Sequence, residues 1–308
     1  MYSGFGLIHY EQPPAMKNLM LLFLILFFGL TATTAFSQEQ PDSSKLCRIE
    51  IKDGNEFIGL MAAEDSINVI LETKLLGKVS IPRTSIKTLT WLKPSNMKAG
   101  KLWSENPQSG RYFWSPNGYG LKKGEGYYQN IWVLWNQASV GITDYFSVGA
   151  GIIPAFFFSG ASTPVWIVPK FSVPVVKDKF NLGAGAIAGT VLGEGTGFGI
   201  VYGLGTIGNR NNNLTLGFGY GYAAGEWAKK PIITLSGMVR TGPRGYLLTE
   251  NYFINSANLS LVLISVGGRT IIRKVGFDYG LFMPLSSDIG RFIAIPWLGF
   301  TVPFGRKQ

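Results

Sequence analysis

The stretch that most limits how this chain can fold is residues 213–222, Asn-Leu-Thr-Leu-Gly-Phe-Gly-Tyr-Gly-Tyr. Leu214, Leu216, Phe218, Tyr220 and Tyr222 alternate with Asn213, Thr215, Gly217, Gly219 and Gly221. A period of two marks a β-strand, whose successive side chains point to opposite faces. One face here is bulky and apolar, the other nearly bare. A soluble sandwich fills its inner face with bulk. A strand bulky on one side and small or polar on the other suits a membrane barrel, with lipid outside and a tight or wet lumen inside.

The pattern recurs from residue 110 onward. Phe146, Val148, Ala150 and Ile152 alternate with Ser147, Gly149 and Gly151; residues 180–186, 197–204 and 275–281 repeat it, and Leu298, Phe300, Val302 and Phe304 close the chain. Tight turn signals (143–144, 177–179, 209–213, 242–244) roughly alternate with longer ones (159–163, 193–196, 225–230, 255–258, 286–290). Outer-membrane barrels show this asymmetry, with short periplasmic turns and longer outer loops. The expectation is an all-β, antiparallel up-and-down transmembrane barrel over 110–308. Taking 111–119 as the first strand and 121–126 as the first outer loop gives about twelve strands and places both chain ends in the periplasm. The irregular stretch 246–253 leaves about ten strands as the alternative.

Composition agrees. Charged residues are 15% of the chain, glycines number 40 and aromatics reach 14%. The formal charge of +10 comes with no basic stripe interleaved with stacking aromatics, so no nucleic acid is expected as a partner. Residues 1–37 read as an upstream extension plus a secretory signal: Lys17, then an apolar run over 19–30, too short to span a bilayer as a helix, then a cleavage site after Ser37. Residues 38–45 form a linker. Residues 46–92 read as a small periplasmic β domain with strands near 48–51, 56–61, 68–73 and 78–81 and an Asp53-Gly54 turn. Its opening resembles an SH3-like or Sm-like barrel. Cys47 reads as a structural, partly buried thiol, and 93–109 as a second linker.

Residues 110–130 and 140–151 are similar to segments of outer-membrane β-barrel proteins of Bacteroidetes-type bacteria. The resemblance implies outer-membrane placement and brings no catalytic residue with it. Tyr112, Trp114, Tyr127, Tyr128, Trp166, Trp227, Tyr252 and Trp297 sit near expected strand ends, where rings with polar handles form the two girdles of a barrel.

Little in the chain reads as chemistry. Residues 203–208 match a dinucleotide fingerprint in letters, but a strand rather than a helix follows, so no cofactor is expected. The single histidine, His9, precedes the cleavage site, which leaves the mature chain without the usual general base or metal ligand. No catalytic or metal residue is therefore assigned, and a lipid-modifying enzyme is the least favoured class. Lys122, Lys123 and Glu125 on a Gly-hinged outer loop are candidates for binding lipopolysaccharide phosphate or a partner. The alternation points Lys170, Arg240, Glu250 and Asp278 inward, where they would form either a salt-bridge plug or an ion-filtering eyelet. Two functional expectations follow: a narrow passive channel or barrel binding small solutes or lipid, and a closed barrel serving as anchor or interaction scaffold. The expected partners are outer-membrane lipid, the barrel-assembly machinery, and a periplasmic protein or peptidoglycan meeting 46–92.

Overall fold

A computed structural model describes residues 46–92, 97–98, 101–255, 260–286 and 293–305. The expected signal and first linker, most of the expected loops 255–258 and 286–290, and the last three residues lie outside these. The chain divides into two units between Trp91 and Leu92.

In the first unit β1 (Leu46–Ile51), β2 (Glu56–Glu64), β3 (Asn68–Thr73), β4 (Gly77–Pro82) and β5 (Ile86–Trp91) form one antiparallel sheet in the order β4-β3-β2-β1-β5. Gly54 takes φ 94° in the Asp-Gly turn, a conformation that glycine adopts without steric cost. After Pro82 a 3-10 turn, Arg83–Ser85, sends the chain into β5. The core is Cys47, Ile49, Met61, Val69, Leu71 and Ile81.

The second unit begins with a two-residue pair, β6 (Met97–Lys98) and β7 (Lys101–Leu102). Twelve long strands follow: β8 (Glu125–Ile131), β9 (Trp135–Gly141), β10 (Phe146–Ile152), β11 (Thr163–Val176), β12 (Phe180–Leu192), β13 (Thr196–Gly208), β14 (Asn213–Ala223), β16 (Ile232–Arg240), β17 (Gly245–Asn255), β18 (Ser260–Ile272), β19 (Val275–Leu285) and β20 (Ile295–Gly305). A stub, β15 (Glu226–Trp227), pairs antiparallel with the end of β14, and a short helix, α1 (Pro154–Phe158), follows β10. Each strand pairs antiparallel with its predecessor, and β20 pairs with β8, which closes the sheet. Closure leaves no bare strand edge, the condition for backbone to lie in hydrocarbon.

Twelve strands are present, but 111–119 is not the first of them. Its place is taken by the β8–β9 hairpin, whose turn carries Trp132 and Val133 at φ 53° and 66°. The tight turns 142–145, 177–179, 209–212, 241–244 and 273–274 all fall at the rim where β8 begins and β20 ends. The longer connections 153–162 and 224–231 fall at the opposite rim, together with the short turns 132–134 and 193–195.

On most strands the bulky residues face out. Leu216, Phe218 and Tyr220 on β14, and Phe277, Tyr279 and Leu281 on β19, are exposed, while Thr215 and Asp278 are buried. On β13 the sense is reversed: Leu204 and Thr206 are buried and Val201 and Ile207 exposed. The facing positions of β12 explain this. Gly183, Gly185 and Gly189 pair with Leu204, Tyr202 and Phe198, and a Cβ on any of the three would come within 3 Å of the partner's side chain. Bulk on one strand fills the space left bare by glycine on the next.

Candidate functional site

Residues 103–124 run through the lumen. They do so because 111–119 is broken at its middle by Ser115-Pro116-Asn117-Gly118, so that Arg111 bridges only to Pro116 instead of joining the wall. Tyr112, Phe113 and Asn117 are fully buried. The aromatic pair reaches opposite walls. Tyr112 Oη donates to Asn213 Oδ1 on β14 at 2.6 Å, and the Phe113 ring lies 5.5 Å from Phe282 and 5.7 Å from Trp297 on β19 and β20. With Ile131, Met238, Tyr246, Leu248 and Ile271 they form a hydrophobic core inside the barrel.

Charged wall residues bind the backbone of this inner segment. Glu250 Oε2 accepts three successive N–H groups, from Phe113, Trp114 and Ser115, at 2.9, 2.9 and 3.0 Å. Successive amides converging on one oxygen make an anion nest, and Tyr252 donates to the other oxygen. Lys170 Nζ donates to the carbonyls of Tyr119 and Gly110 at 2.7 and 3.2 Å. Arg269, wholly buried, pairs with both oxygens of Asp278 and donates to the carbonyls of Tyr112 and Gln108 at 2.8 and 2.9 Å. At the rim of tight turns, Arg210 holds Ser109 and Gly120, and Arg240 holds the Ser104 carbonyl with its guanidinium over Trp103.

The four inward charges read from the alternation thus do not bond to one another. Asp278 pairs with Arg269, and Lys170, Arg240 and Glu250 each hold the inner segment. Arg269 and Arg111, the latter donating to Gln129, were not singled out from sequence. Lys122, Lys123 and Glu125 do not form a loop between two strands, because 111–119 is not a strand. They lead from the inner segment into β8 at the rim of tight turns, where Glu125 accepts the Lys122 N–H and Asp144 that of Lys123. The expected girdles are corrected as well. Tyr112 and Trp114 belong to the inner segment, and Tyr127, Trp166, Tyr252 and Trp297 point inward, which leaves Tyr128 and Trp227 outside. The inward rings pack around the inner segment: Trp114 tilts against Trp135 at 4.3 Å, and Trp135 stacks on Trp166 at 3.7 Å.

Buried polar groups on the wall decide what the lumen does. Every strand contributes at least one inward polar residue to a belt around it: Gln129, Ser139, Ser147, Lys170, Asn181, Thr206, Thr215, Ser236, Glu250, Arg269, Asp278 and Thr301. None is more than 9% exposed. With the inner segment in place, none of these twelve wall positions is open to water.

Two solved structures resemble this barrel. One is a KdgM porin, with TM-score 0.44 and 8% identity over 57% of this chain and 97% of its own. The other is a KdgM porin in complex with disordered oligogalacturonate, with TM-score 0.43 and 8% identity over 58% of this chain and 96% of its own. At that distance no residue role or solute transfers from either. No protein-family model and no curated protein matches the chain.

The β17–β18 ladder is interrupted locally. Between the pairs Leu248–Gly267 and Tyr252–Leu263, side chains replace its backbone bonds. The Ser265 hydroxyl bonds both the N–H and the carbonyl of Glu250, and Thr249 and Asn251 take the Ser265 carbonyl and N–H. This is the stretch whose irregular pattern left the strand count open.

Proposed function

We propose that this chain is an outer-membrane β-barrel held shut by its own residues 103–124, a membrane anchor or scaffold without catalytic chemistry. The small β unit and both chain ends face the periplasm in this reading. The belt of twelve buried polar residues carries it. Membrane placement is supported by the closed sheet and by an outer surface of exposed large apolar side chains far beyond what a soluble monomer presents, such as Phe171 at 55%, Ile207 at 55% and Leu298 at 62%. The periplasmic placement of the termini is supported by the tight turns at their rim. Liposomes loaded with the purified full chain are expected not to swell in small sugars or amino acids; swelling by the wild-type protein overturns the closed reading. A tag placed in the linker after Ser37 or at the C-terminal end is expected to resist protease on intact cells and to be cut once the outer membrane is permeabilised.

A second reading, a channel that conducts when the inner segment moves, is favoured by one observation. The segment enters and leaves at the same rim, Ser104 bonding Pro243 and Gly124 bonding Gly141, so it can withdraw as a single piece. Rare full-size openings of wild-type protein in planar bilayers would support this reading over a permanently closed one.

A further inference from the structure

The outer wall carries a groove of about 670 Å³ that the closed-barrel reading does not use. Its floor is the reversed strand β13, where Gly203 and Gly205 face outward. Its sides are the outward residues Phe171, Phe180, Leu182, Leu216 and Phe218 of the flanking strands. A Cβ on Gly203 would meet nothing within 4 Å, and one on Gly205 only the Phe180 ring and Leu182 at 3.6–3.9 Å. The groove is thus a smooth apolar trough between ridges, in a volume range typical of ligand sites. It lies in the half of the wall near the tight turns.

Charge at that rim identifies what fills it. The near-rim turns carry Lys177, Lys179, Arg244, Arg273 and Lys274 against Asp144 and Asp178, Arg210 being turned onto the inner segment. The described far-rim connections carry Lys229 and Lys230 against Glu194 and Glu226. Among the described residues the excess of cations is therefore at one headgroup level. Lys177 and Lys179 are exposed, and Lys179 immediately precedes the groove residue Phe180. Cations at the interface attract anionic lipid, and the trough beside them is apolar throughout.

We propose that the barrel holds one anionic phospholipid of the surrounding membrane in the leaflet at its tight-turn rim. One acyl chain lies along Gly203 and Gly205, and the phosphate sits at Lys177 and Lys179. The proposal rests on the membrane reading above. In that leaflet the lipid fills a notch that a cylinder of uniform wall would not have.

The test uses the full chain in nanodiscs containing a phosphatidylglycerol with a photoactivatable acyl chain, with crosslinks mapped by mass spectrometry. Wild-type protein is expected to concentrate label on β12–β14, competed by unlabelled phosphatidylglycerol about tenfold better than by phosphatidylcholine. The double variant Gly203→Leu/Gly205→Leu fills the trough from open positions. It is expected to lose that label while keeping the background label on β19. Lys177→Gln/Lys179→Gln is expected to keep the label and lose the headgroup preference. Even labelling around the wild-type wall, unchanged in the glycine variant, overturns the site and leaves the barrel reading intact. So does a trough occupied by a second copy, seen as protein–protein crosslinks there. Absence of label from every strand overturns the membrane reading itself.

Discussion

At the scale of single residues, the lumen is organised by buried wall charges bonded to the inner segment. Arg269 makes the ion pair with Asp278 and also satisfies backbone oxygens of the inner segment. Removing one partner of a buried pair leaves the other uncompensated, at a cost of about 3–5 kcal/mol. Arg269→Met is therefore expected to lower the unfolding free energy of the detergent-solubilised barrel by that amount, read from denaturant titration, and Asp278→Asn together with Arg269→Met to recover part of it. Asp278 was legible because glycines flank it in a clean alternation. Arg269 was not, because it ends a nearly continuous apolar run, 261–268, in which neither face is marked. In the small unit, burial pushes the Cys47 thiol from 9.0 up to about 11, with Glu64 adding to the shift. A raised folded value stabilises the protonated fold fully below the unfolded value and loses that contribution as pH rises. Unfolding midpoints of the small unit are expected to fall between about pH 9 and 11, and Cys47→Ala to remove that dependence. In native protein at pH 8 the thiol should resist alkylation.

At the scale of elements, the period-two pattern located most wall strands but could not say which face was which. On β13 the outcome depended on glycines one strand away, information that no single strand contains. The same pattern misassigned 111–119, where the Pro116 and Asn117-Gly118 signals, poor company for a central strand, outweigh the alternation. Gly118 packs on β12 so closely that a Cβ would lie 2.7 Å from the Asn181 carbonyl oxygen. Gly118→Val is thus expected to push the inner segment off the wall and give wild-type-silent bilayers a steady conductance. The β8–β9 turn carried no signal, since Trp132 and Val133 are among the residues least expected at positive φ. Val133 is 82% exposed at φ 66°, so Val133→Gly should relieve strain and raise stability by about 1 kcal/mol, read from the denaturant midpoint. In the β17–β18 interruption, Ser265→Ala strands the N–H and carbonyl of Glu250. A loss of about 1–3 kcal/mol is expected there, larger than for an outward serine or threonine on another strand.

At the scale of the whole barrel, the interior is a protein core rather than an aqueous pore. Apolar rings sit at its centre, and polar wall groups surround them. Deleting 103–124 would expose Arg269, Glu250 and Lys170 to a wet lumen. The expected result is a lower thermal transition in detergent together with ion conductance, whereas a silent deletion variant would mean that the wall itself collapses inward. Most wall strands and the tight turns between them could be anticipated from sequence because each repeats the same two-faced pattern, although the count of twelve included 111–119, which is not a wall strand. The filling of the lumen could not, because it depends on bonds between positions more than a hundred residues apart, such as Tyr112 to Asn213 and Phe113 to Glu250. The common rim through which the filling segment comes and goes has a further consequence. The segment is a tongue, not a threaded rod: neither end of the polypeptide must be drawn through the ring. The seam between the last strand and the first can therefore be sewn before or after the tongue is tucked in, and assembly meets no topological obstacle in either order.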